Sequence, residues 1–548
     1  MKDRSADTGE SASPDPDPIR RGASISRRRF LVGAGAAGMA TLLPIRASLA
    51  FSARAAEGSF CSLPASVRSA VQRGWVSIRS GDLHIVPHGF NYMNGGISHS
   101  TPWPYTQHVP MLWFGPKHIR AGSVKRGVTS ADIAPTMARL IGFPFDAPDG
   151  DVMHEALIPG APKPRLVIVL VWDAGGRYVL GQWPNAWPYT RSLIGKGTWF
   201  ENAVVGTNPS HTAPVHATIG TGAFPFRHGV AGNPMRLSTG AMVDPWSLGP
   251  RVMRLPTLAD EYGAARNGRA ITGMVGPVPW HLGMLGHGAQ MAGHPRPTVV
   301  LKRVVGTTVR WGIPDHLSDY YRFPAYANDL PRLDRYWWVA DHVDGVRDGK
   351  WRGHSIRAAL GGWHTPARIP FQSRLIEEVI KREGFGHHDE PDLLFLNHKI
   401  IDEIGHEYSA SSVEMRDVLT VQDRDLRRLL GFLDQQVGKG KWVLLLTADH
   451  GHSAATRASG GVSISMERIT SLLRQHFDRP GTTRSVVLDA DITSYFLNKA
   501  ELEANHQTVS QFAGYLNNLT PAEYGGGIPP STRLFEAVFP TSQVTASC

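Results

Sequence analysis

Thr212 stands two positions ahead of Pro214 at the head of a small-residue run that continues to Gly222. Proline is tolerated in the first turn of a helix, and a Thr just before it is predicted to cap one. A hydroxyl there sits in the positive field of the helix N-terminus, near unpaired N–H groups that hold an oxyanion or a phosphate. Taken alone, the pattern describes a cap as well as a nucleophile. Asp402 and His406 are four residues apart, so on a helical turn they share a face, which suits two ligands of one metal or an ordinary surface pair. Asp449-His450-Gly451-His452 follows an apolar run, and a buried carboxylate beside an imidazole needs a compensating charge that a metal supplies. Asp173 closes the run Leu-Val-Ile-Val-Leu-Val-Trp, where ligands of open α/β sheets gather and where turn aspartates are also common.

The elements that must position these residues are apolar stretches of strand length. Residues 166–172, 392–396 and 442–446 read as strands buried on both faces. Further strands are predicted over 82–87, 109–114 and 493–497, and helices over 129–141, 413–437 and 502–519. A Gly-rich loop spans 94–100, and the proline-rich stretch 159–164 reads as a linker. From 251 to 385 the periodicity is weak and Trp, Pro, His and Gly abound, which predicts an inserted, loop-rich, pocket-shaping segment. Its tryptophans, 280, 311, 337, 338, 351 and 363, are candidates for stacking on a substrate ring, with core packing the alternative.

With 548 residues, 42% hydrophobic and 19% charged, the chain has ordinary globular composition and enough length for a large core. A net charge of +10 without a dense Lys/Arg block argues against nucleic acid. Residues 1–56 read as a polar leader and twin-arginine export signal: Ser26-Arg27-Arg28-Arg29-Phe30-Leu31, then a Gly/Ala-rich run too short to span a membrane. Ser48, Ala50, Ala53 and Ala55 offer cleavage sites, and a periplasmic or secreted enzyme that meets the twin-arginine machinery is expected. Cys61 and Cys548 are the two cysteines, and an oxidising compartment favours one bridge over two thiols.

Four segments together carry a resemblance: V-L-V-W-D-A-G-G (169–176), the run from Asn208 to Asn233, D-E-I-G-H (402–406) and T-A-D-H-G (447–451). The chain resembles the alkaline phosphatase superfamily, in particular its type I phosphodiesterase/nucleotide pyrophosphatase branch and the related single-threonine bacterial phosphatases. The resemblance implies a three-layer αβα sandwich with a mostly parallel central sheet and two divalent ions, with zinc favoured by the mix of imidazole and carboxylate. It implies Thr212 as nucleophile, with Asp173, Thr212, Asp449 and His450 on one ion, Asp402 and His406 on the other, and Asn233 contacting phosphate. The family's last histidine ligand has no match after His452. Residues 59–158 instead resemble the family's C-terminal segment in order, so the chain looks circularly permuted, with His99 as the absent ligand and residues 57–548 as one catalytic domain. On that reading Cys61 and Cys548 are spatial neighbours, and a disulfide would restore the missing link.

The phosphomonoesterases of this group carry a Lys-x-Arg pair, and the corresponding stretch here, 276–287, has none. The expected substrate is therefore a small phosphate diester or nucleotide pyrophosphate, with a monoester the alternative if His281 or Lys302 supplies the charge. Thr212-Ala213-Pro214-Val215-His216 lacks the C/S-x-P-x-R setting of sulfatases. Transfer to an alcohol, or metal binding without hydrolysis, stays open.

Overall fold

The computed structural model describes residues 58–93, 97–357, 362–545 and 547–548. The twin-arginine run, the four cleavage positions and the first half of the Gly-rich loop lie outside them. In chain order the strands used below are β1 (Leu83–Pro87), β2 (Met111–Phe114), β3 (Gly122–Thr129), β4 (Leu166–Trp172), β5 (Thr198–Val204), β6 (Thr272–Val275), β7 (Thr298–Val305) and β8 (Thr308–Gly312). They continue with β9 (Asp392–His398), β10 (Trp442–Thr447), β11 (Val487–Asp491), β12 (Ser494–Leu497) and β13 (Phe535–Pro540).

A nine-stranded sheet runs β8-β7-β6-β9-β4-β10-β2-β5-β3. β4 lies at its centre, paired in parallel with β9 on one side and β10 on the other. β6, β7, β5 and β3 share that direction, whereas β2 and β8 run against it. Successive side chains of β4 go to opposite faces: Val167, Val169 and Val171 enter one apolar core, and Leu166, Ile168, Leu170 and Trp172 the other. Both faces are covered, which is why the run is apolar without alternation.

Helices α1 (Ile133–Ile141) and α2 (Thr212–Thr221) pack on the first face through Ile133, Met137, Val215 and Ile219. Helices α3 (Arg368–Glu383), α4 (Ile400–Tyr408) and α5 (Val413–Leu433) pack on the second through Leu375, Ile376, Ile401, Ile404, Val418 and Leu429. The result is the expected three-layer αβα sandwich. α1 stops where Gly142 takes a left-handed φ of 64°, and it starts later than expected because Thr129 ends β3 and Ser130–Asp132 form a 3-10 turn.

Two expectations change. The 251–385 segment does not stand outside the sheet: β6, β7 and β8 extend it, and α3 covers it. β6 is four residues long and β7 turns exposed after Leu301, so neither offers a readable period. The predicted helix over 502–519 is two, Lys499–Ala504 and Val509–Asn517, broken around His506, which has a positive φ.

A smaller sheet, β11-β12-β1-β13, joins the two ends of the chain. β1 lies between β12 and β13, antiparallel to both. Beside it Phe60, Leu63 and Val86 pack with Ala537, Phe539 and Val544, and Cys61 and Cys548 form a disulfide with Cα atoms 5.5 Å apart. Residues 59–158 also supply β2, β3 and α1, so they belong to the same body as the rest. No helix among the described residues is long and apolar enough to cross a membrane.

Candidate active site

β9, β4 and β10 are adjacent in the sheet, and their carboxyl ends deliver the charged groups. Asp173 follows β4, Lys399 follows β9 and leads into α4, and Asp449 and His450 lie just past β10. The turn after Asp173 is tight: Ala174 has φ 59°, rare for a residue with a Cβ, and its N–H donates to Asp449 Oδ1 at 3.0 Å. Strain at that turn locks two carboxylates together. Thr212 is the first residue of α2 and not its cap; His211 holds the cap position with extended backbone. The Thr212 hydroxyl is thus free of capping, while its carbonyl accepts from His216 Nδ1 at 2.7 Å.

Three histidines are oriented alike. His406 Nδ1 bonds Ile97 O at 2.7 Å, His450 Nδ1 bonds Gly451 O at 2.9 Å, and His99 Nδ1 bonds Ser100 Oγ at 2.7 Å. Each Nδ1 is thereby held and each Nε2 faces a carboxylate, the arrangement seen in metal-ligating histidines. His99 Nε2 and His406 Nε2 each stand 3.4 Å from Asp402 Oδ1. His450 Nε2 stands 3.4 Å from Asp449 Oδ2 and 3.8 Å from Asp173 Oδ1. Asp402 Oδ1, Asp449 Oδ2 and His450 Nε2 are buried, yet none has a hydrogen-bond partner among the described residues. Ligands about 2.0–2.1 Å from a tetrahedral ion lie roughly 3.3 Å from one another. Asp402 Oδ1 has that spacing to both His99 and His406, and Asp449 Oδ2 has it to His450; among the described residues the groups able to hold an ion are His99/Asp402/His406, Asp173/Asp449/His450 and, on the other side of Asp173, Asp173/His216/His281. D-x-x-G-H also acquires a reason: a Cβ on Gly405 would lie 2.5 Å from His452 Cδ2.

The electrostatics fit the same reading. Burial, then the neighbouring Asp173, pushes the Asp449 carboxyl well up, the signature of excess negative charge. Burial lowers His450 to about 4 and, with help from His450, holds His99 low, so both rings are neutral donors. For Asp173 and Asp402 burial is outweighed by Lys399, and both stay well below the usual carboxylate range.

Lys399 is the residue that sequence reasoning missed. Its Nζ donates to Asp173 Oδ1 at 2.9 Å, Asp402 Oδ2 at 2.8 Å and Thr212 Oγ1 at 3.3 Å. One ammonium therefore links both ligand groups and the Thr212 hydroxyl. A lysine between a buried strand and D-E-I-G-H was the available signal. Asn397, two residues earlier, donates to Asp173 Oδ2 at 2.8 Å.

His281 Nε2 stands 3.3 Å from Asp173 Oδ2, and burial lowers its pKa to about 4. Asn233 is half-buried with Oδ1 unpartnered among the described residues. A Cβ on the adjacent Gly232 would meet Asp491 Oδ2, and that carboxylate lies 3.3 Å from His211, beside Thr212. Most of the tryptophans named as stacking candidates serve packing: Trp351 and Trp363 are fully buried, and Trp311 stacks on Phe371.

A family model described as type I phosphodiesterase/nucleotide pyrophosphatase matches residues 167–524. Alkaline phosphatase PafA of Elizabethkingia meningoseptica is 26% identical over 53% of this chain and 60% of its own length. A protein of Myroides odoratus named calcium-transporting ATPase is 25% identical over the same shares. Alkaline phosphatase PhoV of Synechococcus elongatus is 22% identical over 64% of this chain and 67% of its own. The chain thus spans about three-fifths to two-thirds of these relatives. The crystal structure of wild-type PafA aligns with TM-score 0.49 and 19% identity, over 69% of this chain and 85% of that one. The family match covers well over half of the sequence and contains Asp173, Thr212, Asp402, His406, Asp449 and His450. The chain belongs to the type I phosphodiesterase/nucleotide pyrophosphatase family, within the alkaline phosphatase superfamily.

Proposed function

We propose that this chain is an exported, zinc-dependent phosphoric ester hydrolase that works through a phospho-threonine on Thr212. The observation that carries the reading is the set of unpartnered buried ligand atoms on Asp402, Asp449 and His450, joined to the Thr212 hydroxyl through Lys399, which contacts Asp173, Asp402 and Thr212 Oγ1. Asp173, Thr212, Asp449 and His450 would hold one divalent ion, and Asp402, His406 and His99 the other. Bound there, the ions supply Lewis-acid charge for the Thr212 oxygen and the phosphoryl oxygens. Thr212 Oγ1 attacks phosphorus, the P–O bond to the leaving group breaks, and the alcohol departs with a proton. Water then attacks the phosphorylated threonine and restores the hydroxyl, releasing phosphate when the substrate was a monoester and the remaining monoester when it was a diester. Lys399, 3.3 Å from Thr212 Oγ1, stabilises negative charge on that oxygen, and Asn397 and Lys399 orient Asp173. Asn233 is assigned to the phosphate.

The order of the parts is read as a circular permutation, in which residues 59–158 replace a C-terminal segment and His99 completes the site. A family match that starts at residue 167 and a first block woven into both sheets support this. Twin-arginine export to the periplasm or beyond fits the signal-like N-terminus and the disulfide. The missing Lys-x-Arg pair and the family description favour diesters. Relatives named alkaline phosphatase and the cation beside Thr212 favour monoesters.

The test uses purified, zinc-loaded mature protein with bis(p-nitrophenyl) phosphate and p-nitrophenyl phosphate. Thr212→Ala should cost at least about a thousandfold in kcat on whichever ester is turned over. Hydrolysis that survives in the variant sinks the assignment, and product trapping with an added alcohol separates hydrolysis from transfer.

A further inference from the structure

Two cations far apart in the sequence, Lys302 and Arg368, share one ring, Trp363, and a third, Lys399, lies 3.3 Å from Thr212 Oγ1. Lys302, on β7, holds Nζ 4.9 Å from the centroid of Trp363. Arg368, the first residue of α3, lays its guanidinium 3.9 Å over the same ring. Trp363 Nε1 donates to Glu403 Oε1 at 3.4 Å, which fixes the ring, and Arg368 Nη1 donates to Glu403 Oε2. Glu403 is the neighbour of Asp402 on α4.

Arg368 is only 1% exposed, and its Nε and Nη2 have no hydrogen-bond partner among the described residues. A guanidinium sealed from water with two donors unmet carries a desolvation cost that its ion pair with Glu403 offsets only in part. Arg368 is tied to the ligand groups through Glu403, which adjoins Asp402 on α4, and the charges of Asp173 and Asp402 act on it. Lys399 already has three partners in Asp173, Asp402 and Thr212. Arg368 is the buried cation with donors left over.

We propose that Arg368 and Lys302, held against Trp363, form a subsite for the second negative charge of a phosphate monoester. The proposal rests on Thr212 being the nucleophile. A diester presents one negative charge on two free oxygens, whereas a monoester dianion carries two charges over three oxygens. The extra charge needs a cation away from the nucleophile. Guanidinium N–H groups suit phosphate oxygens in direction as well as charge, and the lysine adds a second positive charge beside them. The pair is built from β7 and α3, so it does the work of a Lys-x-Arg motif without its spacing.

Thr212→Ala is assayed first: loss of both ester activities keeps the nucleophile, and survival of either overturns that reading and this one with it. Arg368→Met and Lys302→Met are then compared with the parent for kcat/KM on p-nitrophenyl phosphate and on bis(p-nitrophenyl) phosphate. Inhibition of diester hydrolysis by inorganic phosphate is measured alongside. The monoester-to-diester ratio should fall by about ten- to a hundredfold, with the phosphate Ki rising by a similar factor, and Arg368→Lys should recover part of both. A purely structural arginine would lower both activities together and leave ratio and Ki where they were, which overturns the proposal. If Arg368→Met does not fold, Lys302→Met decides: its side chain is partly exposed, and an unmoved ratio and Ki in that variant are equally fatal.

Discussion

Replacing Lys399 with methionine keeps the length of the side chain and removes one charge from the middle of three partners. The ammonium lies 2.9 Å from Asp173 Oδ1 and 2.8 Å from Asp402 Oδ2, with the lysine side chain 10% exposed and the carboxylates nearly sealed. At such separations each pair gains about 6 kcal/mol at an effective dielectric near 20, and desolvation offsets much of it. Removing one partner of a buried pair costs about 3–5 kcal/mol, because the charge left behind has nothing to meet it. In EDTA, Lys399→Met should therefore unfold with a stability about 3–5 kcal/mol below the parent. In zinc the gap should narrow, since divalent ions on Asp173 and Asp402 replace the lost charge. Denaturant melts of both proteins, each with EDTA and with zinc, give the four numbers needed. Equal stability in EDTA refutes the ion-pair argument, and an equal gap in EDTA and zinc refutes the link between Lys399 and the ligand carboxylates. With zinc saturating, kcat should also drop by about a hundredfold or more, as Nζ stands 3.3 Å from Thr212 Oγ1.

Gly405→Ala places a methyl 2.5 Å from His452 Cδ2 and 2.8 Å from its Nε2, so α4 or that ring must shift and carry His406 with it. Zinc affinity should fall by about tenfold or more at a stability cost of about 1–3 kcal/mol, read by calorimetric titration and melts; parent-like zinc binding would show that the contact is slack. Asp425 is pushed up to about 6 by burial, against the pull of Arg428 and Ser373. The folded state therefore binds more protons than the unfolded chain between about pH 4 and 6, and this contribution is present in full below pH 4 and lost as pH rises through 6. Asp425→Asn, neutral throughout, should gain up to about 3 kcal/mol over the parent at pH 8 and little at pH 4. A difference that does not vary with pH would remove the buried carboxylate as its cause.

The parts legible in the sequence share one trait: the residues that define them are neighbours in the chain. β4 and β10 announce themselves because a strand covered on both faces is apolar throughout, and Asp173, Asp449 and His450 follow directly from where those runs stop. Asp402 and His406 are readable because a helical turn pairs them without help from elsewhere. Lys399 and Arg368 were invisible for the opposite reason. Lysine and arginine are surface residues by default, and only partners more than thirty residues away, Asp173, Thr212 and Glu403, make these two interior. β3 was hidden by its polar face at the sheet edge, where Lys125 and Arg126 are exposed. β6 was too short to show a period.

The small sheet sets a clock on the birth of this protein. β1 is made early, at residues 83–87, but its two neighbours are residues 494–497 and 535–540. At about 5–20 residues per second, the first strand waits about 20 to 80 seconds for a partner. His99 keeps the same schedule, since Asp402, His406 and His450 emerge some three hundred residues after it. Cys548, later still in the chain, ties back to Cys61. A product cut short before residues 494–497 and 535–540 therefore leaves β1 with open edges and lacks its covalent tie, so a partial chain exposes the unpaired strand that the whole fold hides.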